Sequence, residues 1–364
     1  MRQRLDNSLK AGAPALCLCW LAILAACHAE PGSPFRRYLN QLALALPPAA
    51  ATVRLTDIPA PPVPAALQLP ITASPADSLD LLQVSGCAVQ ANIGRRATSL
   101  GRFAKPSQRL LLELEFLQLA PACIRDLREE NRTLVASQLE VAQQSTRLQL
   151  PALVFNATLA SAEFRAFWLA TPLPGSYPRS QTSAATSALA VLSGHIQRWL
   201  GGDYRAHNRD LELLLGEIAA GDGGARLQSW THQVDWLAAA DRIVAHALAR
   251  PAPCHKGPAV HLASRRTAIA TRYYSDTIQP LIEQSRRRYL DAAGAVSALE
   301  ALLAETLSAG YRQWSSARYQ REAALASAGN RHQQRLRQLG HHCTLSQAHS
   351  SDRAASAEIG YTGR

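Results

Sequence analysis

The segment from Gln108 to Leu119 places the strongest constraint on how this 364-residue chain can fold. A helix turns by about 100° per residue, and at that angle the apolar residues of the segment face nearly every direction. They are Leu110, Leu111, Leu112, Leu114, Phe116, Leu117 and Leu119. A helix that is apolar on all sides has to be buried among other helices. We therefore expect this segment to be the central helix of an all-α, bundle-like domain, with Pro121 ending it.

Apolar residues at three-four spacing predict helices along most of the remaining chain, and together they indicate a domain of about ten helices. The predicted segments are 35–46, 76–93, 132–148, 183–200, 208–219, 226–250 and 260–291, followed by one that Leu299, Leu303, Leu307, Tyr311 and Trp314 line. Pro280 is expected to kink the long segment in which it lies. Asp241 interrupts the row of apolar residues, called the seam, that runs along one side of the predicted helix 226–250. Its side chain either turns outward, which is the favoured interpretation, or is buried against an arginine.

The first 26 residues have the composition of a secretory signal sequence. Arg2, Arg4 and Lys10 make a basic start, and residues 11–26 are uncharged. A membrane-spanning helix needs about 20 apolar residues, and this stretch is shorter. It therefore indicates a cleaved signal rather than a membrane span.

The signal ends in Leu24-Ala25-Ala26-Cys27, which resembles the lipobox of bacterial lipoproteins. The resemblance implies that Cys27 becomes the first residue of the mature chain and carries acyl chains on its sulfur and its amino group. Two or more acyl chains anchor a protein stably. Because His28 is not an aspartate, the resemblance also implies a lipid anchor in the outer membrane, with the protein facing the periplasm. The alternative is ordinary signal cleavage near Ala29, which discards Cys27.

Prolines recur from Pro47 to Pro75, and this stretch is predicted to be extended because proline lacks a backbone donor and restricts its predecessor. It is either a semi-rigid tether or a segment laid along the surface of the domain, as the apolar residues Val63, Leu67, Leu69 and Ile71 favour. The predicted organisation is a signal peptide at 1–26, a lipidated N-terminus with a short helix and the proline-rich segment at 27–75, a helical domain at 76–343 and a disordered tail at 344–364.

Four cysteines remain after the signal and the anchor: Cys87, Cys123, Cys254 and Cys343. An even number in an oxidising compartment predicts disulfides, and four cysteines allow three pairings. We favour Cys87–Cys123 and Cys254–Cys343. The alternative for the second pair is a zinc site made by Cys254-His255 and His341-His342-Cys343, although the spacing is not that of structural zinc modules.

The net charge of +11 at pH 7 favours contact with anionic lipid headgroups, lipopolysaccharide or peptidoglycan. The expected partners are the membrane, reached through Cys27, and an envelope protein, lipid or peptidoglycan; nucleic acid is not expected. Arg265, Arg266, Arg272 and the run 286–288 lie on one predicted helix. Three successive arginines cover about 200° of a helix, so these residues are interpreted mainly as solvated surface, with a lipid- or glycan-binding patch as the alternative.

The sequence contains no glycine-flanked nucleophilic serine, no His-Glu-x-x-His helix, no dinucleotide glycine loop and no P-loop. We therefore predict no catalytic residue, no metal site and no cofactor. The favoured function is a non-enzymatic binding or structural protein, and the alternatives are an envelope glycan or lipid hydrolase and a lipid carrier. Asn156 is polar in an apolar context, so it is expected to bond backbone groups in the core, with a ligand contact as the alternative.

Several short motifs resemble the bacterial lipoprotein family known as domain of unknown function 3080. They are Ser85-Gly86-Cys87, Ser99-Leu100-Gly101-Arg102, Pro106-Ser107, Leu119-Ala120-Pro121-Ala122-Cys123-Ile124, Asn156-Ala157-Thr158, Phe164 and Ile278-Gln279-Pro280. The resemblance spans roughly Phe35 to Leu290, and the region beyond Tyr319 is less typical. It implies an exported lipoprotein with a helical body, and it transfers no activity and no catalytic residue.

Overall fold

The computed structural model describes residues 33–46, 51–73, 75, 81–171, 184–250 and 258–358, with the backbone alone for 33, 258–261, 263 and 341–358. Every regular element in these ranges is helical, which confirms the predicted all-α class. The elements are α1 (Ser33–Ala45), α2 (Pro64–Leu67), α3 (Val89–Ala97), α4 (Ser99–Arg102), α5 (Pro106–Glu129), α6 (Thr133–Ala157), α7 (Ala162–Leu169), α8 (Ala184–Leu200), α9 (Asn208–Ala219), α10 (Gly223–Leu248), α11 (Pro258–Tyr273), a π turn (Tyr274–Ile278), α12 (Gln279–Leu302), a 3-10 turn (Ala304–Thr306) and α13 (Ala309–Glu358).

The predicted central helix lies within α5, which packs along α6 as a helical hairpin. Leu110, Leu114, Phe116 and Leu117 are fully buried, whereas Leu111, Leu112 and Leu119 are half-buried. The helix is therefore buried on most of its sides but not on all of them. The prediction that Pro121 ends this helix is wrong, because α5 continues to Glu129. An interior proline costs a helix about 3 kcal/mol, and burial of the apolar residues beyond it offsets that cost. These residues are Cys123, Ile124 and Leu127.

The same reason explains α6, which also carries a proline inside it. The sequence predicted a helix ending near residue 148, before Pro151, but α6 runs to Ala157. Leu153, Val154 and Phe155 follow the proline and are buried. Tertiary packing therefore overrides the local preference of proline in both members of the central hairpin.

Two other helix boundaries differ from the predicted ones. Pro280 perturbs its helix through the π turn that precedes it, where the backbone N–H of Gln279 donates to the carbonyl of Tyr274 five residues back. The predicted helix through Leu299 and Trp314 is in fact two helices, because the 3-10 turn separates α12 from α13. The Ser308 hydroxyl accepts from the backbone N–H of Tyr311 at 3.4 Å and helps begin α13.

Both ends of the predicted helical domain show further differences. Of the predicted helix 76–93, residues 81–88 form turns, 76–80 lie outside the described residues, and regular helix begins at Val89. At the other end, α13 is helical as far as Glu358, whereas the sequence predicted a disordered tail from residue 344.

Residues 51–73, called the proline segment below, lie against the helical body. The backbone N–H of Thr56 donates to the Asp235 carboxylate at 2.7 Å, and that of Ile58 donates to the Gln228 amide oxygen at 3.3 Å. Leu67, in the short helix α2, is buried in the core. Among the two alternatives that the sequence left open, these contacts correspond to a segment laid along the surface.

Candidate functional site

A buried ion pair joins α12 to α13. The Arg318 Nη2 group donates to both carboxylate oxygens of Glu300 at 2.9 Å, and the two side chains are 2% and 8% exposed. The Tyr311 hydroxyl donates to the same carboxylate at 2.7 Å, and the Tyr319 hydroxyl also donates to it. Glu300 therefore accepts four hydrogen bonds, and its buried charge is well satisfied.

The position of the pair follows from the spacing along α13. Tyr311, Trp314 and Arg318 are three and four residues apart, so their side chains lie on one face of the helix. That face meets Trp168 at the end of α7, whose ring lies 5.4 Å from that of Trp314. The α12–α13 turn brings Glu300 back against the same face.

Aromatic rings surround the Arg318 guanidinium. Its central carbon lies 5.0 Å from the ring centroid of Trp168, 5.5 Å from that of Trp314 and 4.5 Å from that of Tyr319. Such cation–π contacts stabilise a desolvated arginine. Burial by itself lowers the pKa of Arg318, but the Glu300 carboxylate together with the hydroxyls of Tyr289, Tyr311 and Tyr319 outweighs it, so the net pKa is raised. Burial, and then Glu300, raise the pKa of Tyr311 well above its usual value.

Arg318 nevertheless has N–H donors that Glu300 does not accept from. The guanidinium also interacts with the Tyr289 hydroxyl. Its Nε and Nη1 atoms are still buried without a well-formed hydrogen bond within the described part of the chain, and the same is true of the indole Nε1 of Trp168. A guanidinium carries five N–H groups in a planar fork, and Glu300 takes only those of Nη2. Buried donors of this kind ordinarily have a partner, so this corner of the molecule is suited to receive an acceptor.

A cavity of about 60 Å³ adjoins these donors. Its lining includes Ile58, Pro59, Trp168, Trp314, Arg318 and Arg321. A buried water needs about 10–15 Å³, so the cavity has room for a group the size of a carboxylate. We call it the Arg318 pocket.

The proline segment forms one wall of the Arg318 pocket. The Trp314 indole N–H donates to the Pro59 carbonyl at 3.3 Å, and Arg165 donates to the Pro61 carbonyl at 3.2 Å. Prolines offer carbonyl acceptors without N–H donors, so donor side chains from α7 and α13 are the natural partners for this backbone.

A second buried network links α1, α10 and α13. The Tyr38 hydroxyl donates to His332 Nε2 at 2.6 Å, and His332 Nδ1 donates to Asp241 at 2.7 Å. His332 is fully buried with both ring nitrogens engaged. Burial, and then Tyr274 and Asp241, raise the pKa of Tyr38, which keeps its proton for this bond. The order Tyr–His–Asp is that of a proton relay. Because the three side chains are enclosed by the helices, we interpret the network as a structural link between α1, α10 and α13.

The favoured prediction that Asp241 turns outward is wrong. Its carboxylate is 14% exposed, and Arg335 Nη1 approaches it at 2.9 Å beside His332. The alternative of burial against an arginine is therefore the one that occurs. The partners come from α13, which lies about ninety residues further along the chain, and so the local seam did not reveal them.

Asn156 bonds backbone groups, as predicted. Its amide oxygen accepts from the N–H of Leu69 at 2.7 Å, and its amide nitrogen donates to the carbonyl of the same residue at 2.8 Å. The unexpected part is the location of the partner, which belongs to the proline segment. Asn156 thus pairs with that segment as a neighbouring strand would.

The predicted site cysteines are only partly covered by the described residues. Cys87 and Cys123 form a disulfide, which is the first pairing that the sequence favoured. Cys27, Cys254 and the side chain of Cys343 lie outside the described residues, and so do the alternative zinc ligands. Among the side chains that the structure does describe, no group of three or more His, Cys, Asp and Glu could hold a metal ion.

The residues of the Arg318 pocket were not singled out by sequence reasoning. Tyr311 and Trp314 were recognised only as apolar positions of a helix. The signal that could have revealed the pocket is Arg318 itself, a charged residue that continues their three-four spacing.

Comparisons with known proteins give one match. The model of a family described as Protein of unknown function (DUF3080) matches residues 35–346, which is most of the chain. It includes Trp168, Glu300 and Arg318, and it extends beyond Tyr319, where the resemblance in the sequence was judged less typical. No curated protein and no solved structure matches the chain. Among the described residues, no helix has the length and hydropathy needed to cross a membrane.

Proposed function

We propose that this chain, which belongs to the family described as Protein of unknown function (DUF3080), is a lipid-anchored envelope protein that binds a partner without catalysis. The observation that carries the binding role is the Arg318 pocket, where buried guanidinium and indole donors that have no acceptor among the described residues adjoin a cavity. The anchoring role rests on Leu24-Ala25-Ala26-Cys27. The hydrolase and lipid-carrier alternatives stay predictions.

The partner group that suits the pocket is an oxygen acceptor, such as a carboxylate. The N–H groups of Arg318 Nε and Nη1 point away from different edges of the guanidinium, so each of them can donate to one oxygen atom. Glu300 already balances the charge of Arg318, so Arg321 in the lining supplies the additional attraction for an anionic group. The Trp168 and Trp314 rings line the cavity and offer it apolar surface.

Binding is tested by titrating the purified protein with sodium acetate and with an N-acetyl dipeptide that ends in a free carboxylate. Chloride at equal ionic strength is the reference, and tryptophan fluorescence is the readout, because two indoles line the cavity. We expect a saturable change that Arg321→Gln weakens about tenfold, since a hydrogen bond or ion pair to a charged group contributes about 1.5–3 kcal/mol.

Arg147→Gln, an exposed arginine on α6, is the matched control and should leave the titration unchanged. The same response in chloride, or equal weakening by both substitutions, would contradict binding in the Arg318 pocket. Turnover of an envelope substrate by the pure protein would contradict the non-enzymatic role.

Anchoring in the outer membrane on the periplasmic side is tested at Cys27. Cells expressing Cys27→Ala are labelled with radioactive palmitate and fractionated, and we expect the substitution to abolish labelling and to release the protein from the membrane. Cys19→Ala, another cysteine of the predicted signal, is the matched control and should behave as the unaltered chain does. Unchanged fractionation of Cys27→Ala would refute the anchor.

A further inference from the structure

The outer side of α11 carries an apolar centre between arginines. Leu262 and Ile269 are 50% and 58% exposed, although large apolar residues on a helix ordinarily face the core. Residues three, four and seven apart share one side of a helix, so Arg265, Arg266 and these two side chains point the same way. All of them are exposed.

This side of α11 is continuous with the exposed side of α1. The two helices pack antiparallel, since the Tyr38 ring lies 5.8 Å from that of Tyr274 and Arg266 donates to the Leu44 carbonyl at 3.3 Å. Leu44 is itself 65% exposed. The shared surface, called the basic face below, consists of Arg36, Arg37, Leu44, Leu262, Arg265, Arg266, Ile269 and Arg272.

The charge of the basic face is of one sign. Helices α1 and α11 contain five arginines and no Asp or Glu. Arg272 pairs with Asp276 of the π turn at 3.4 Å. A surface of this kind attracts an anionic partner over a Debye length of about 8–10 Å.

The anchor point lies a short chain distance from this face. Cys27 and Ser33, where α1 begins, are six residues apart in the sequence. Whatever its conformation, that connection spans at most about 22 Å. Since α11 has 16 residues, it is about 24 Å long, and its C-terminal end lies beside the first turns of α1. A chain anchored at Cys27 therefore holds the basic face within reach of the bilayer.

We propose that the basic face lies against the membrane and binds anionic phospholipid headgroups, with Leu262, Ile269 and Leu44 entering the headgroup region. An apolar stripe flanked by arginines is the pattern of helices that lie in the membrane interface. Each arginine near an anionic surface strengthens binding by about fivefold. The inference rests on the proposed anchoring at Cys27, and it assigns the orientation in which the anchored body sits.

The test uses the full, lipidated chain reconstituted in vesicles of phosphatidylcholine and phosphatidylglycerol. Ile269→Trp places a reporter in the basic face, and Leu148→Trp places one at a 74% exposed leucine of α6. Replacing the phosphatidylcholine with its dibrominated form quenches indoles that reach the bilayer. The added quenching is the part that exceeds the quenching of the native indoles. We expect it to be at least about threefold larger at position 269 than at position 148, because interfacial helices bury their apolar face by about 5–10 Å.

Charge reversal provides the second arm. In the Ile269→Trp background, Arg265→Glu with Arg266→Glu should reduce the added quenching to the level at position 148. Arg147→Glu with Arg209→Glu makes the same charge change at exposed positions of α6 and α9 and should leave it intact. Equal quenching at positions 269 and 148, or equal loss in both double variants, overturns the inference.

Two further outcomes are distinguishable. Palmitate labelling of Cys27 without added quenching at position 269 leaves the anchor standing and overturns the membrane-facing orientation alone, whereas loss of labelling and of vesicle association overturns both. A monomer–dimer equilibrium that Arg265→Glu with Arg266→Glu abolishes, in a protein without bromolipid quenching, assigns the face to a second copy of the chain and likewise overturns the proposal.

Discussion

At the scale of single residues, the energetics of the candidate site depend on how each buried charge is satisfied. Removing an ion from water costs several kcal/mol, and attraction to a partner compensates only when the geometry is good and the remaining hydrogen-bonding groups are satisfied. Glu300 meets this condition through Arg318, Tyr311 and Tyr319. Arg318 meets it only in part, because Nε and Nη1 are left over. The asymmetry identifies Arg318 as the member of the pair that is suited to bind something else.

Replacing Arg318 should destabilise the fold strongly. We expect Arg318→Ala to lower the free energy of unfolding by about 3–5 kcal/mol, because it leaves Glu300 buried without its counter-charge. Urea denaturation followed by circular dichroism measures the change. Arg337→Ala removes an exposed arginine from the same helix and should change the free energy by no more than about 0.5 kcal/mol. Equal effects of the two substitutions would show that the buried pair contributes nothing special.

At the scale of elements, the proline segment is held by side chains rather than by backbone pairing. Gln228 of α10 bonds it twice, accepting from the Ile58 N–H at 3.3 Å and donating to the Thr56 carbonyl at 2.9 Å. The same Gln228 amide nitrogen donates to His232 Nε2 at 2.5 Å. His232 Nε2 must therefore carry no proton, because it is the acceptor of this bond. Attachment of the segment is thereby coupled to the protonation of one histidine.

Mild acid should loosen the proline segment. Burial lowers the pKa of His232, and Asp235 and Asp57 oppose this effect. A base whose pKa is lowered on folding contributes stability that is present above its unfolded value, about 6.5 for histidine, and is lost as the pH falls below it. We expect hydrogen-exchange protection of the Ile58 amide, corrected for the intrinsic rate, to fall between pH 7.5 and pH 5.5 (about one unit on either side of that value).

The control for this prediction is His232→Gln, which keeps a polar partner for Gln228 but does not titrate in this range. Its Ile58 protection should be independent of pH over the same interval. If protection in the unaltered protein is also independent of pH, the coupling through Gln228 is contradicted.

The start of α10 depends on glycine for its close approach to α7. A Cβ atom on Gly224 would meet the backbone carbonyl of Trp168, and one on Gly223 would meet the ring of Phe167. We expect Gly224→Ala to lower the free energy of unfolding by about 1–3 kcal/mol or more, since overpacking against backbone has no easy relief.

A matched glycine should respond with the opposite sign. Gly294 lies inside α12, and a Cβ atom there would meet nothing within 4 Å. Gly294→Ala should raise the free energy of unfolding by up to about 1 kcal/mol through helix propensity. Thermal denaturation of both variants tests the pair. A loss of stability in both would contradict the α7–α10 contact as the cause of the loss in Gly224→Ala.

At the scale of the whole molecule, contacts between distant parts of the chain close the fold. The Tyr38–His332 bond joins residues that are 294 positions apart, so the first described helix is locked to the last one. Near the central hairpin, the Cys87–Cys123 disulfide ties the turns before α3 to the second half of α5. The proline segment then crosses the body and reaches α6, α7, α10 and α13.

Removing the disulfide should lower stability through the unfolded state. Its sequence separation is 36 residues, and in the chain-entropy model a loop of that length corresponds to about 4 kcal/mol. We expect Cys87→Ala with Cys123→Ala to lose about that much free energy of unfolding in urea. Cys254→Ala with Cys343→Ala is the comparison, and it should show a loss of similar size if those residues form the predicted second bridge. No loss in the first variant would contradict a stabilising role for the bridge.

The sequence by itself determined the helical class, the buried central helix and the backbone-bonding role of Asn156. These features follow from patterns within a few residues, because helix periodicity and the placement of apolar side chains are local properties. The same local rules failed at Pro121, where burial further along α5 outweighed the preference of proline.

Only the tertiary structure decided which residues meet. Arg318 contacts Trp168, which is 150 positions away in the chain, and Asp241 bonds His332, which is 91 positions away. The proline segment became a wall of the Arg318 pocket only through bonds to side chains more than 100 residues away. Such pairings arise because the packing of whole helices brings them together, and spacing along a sequence carries no record of that proximity.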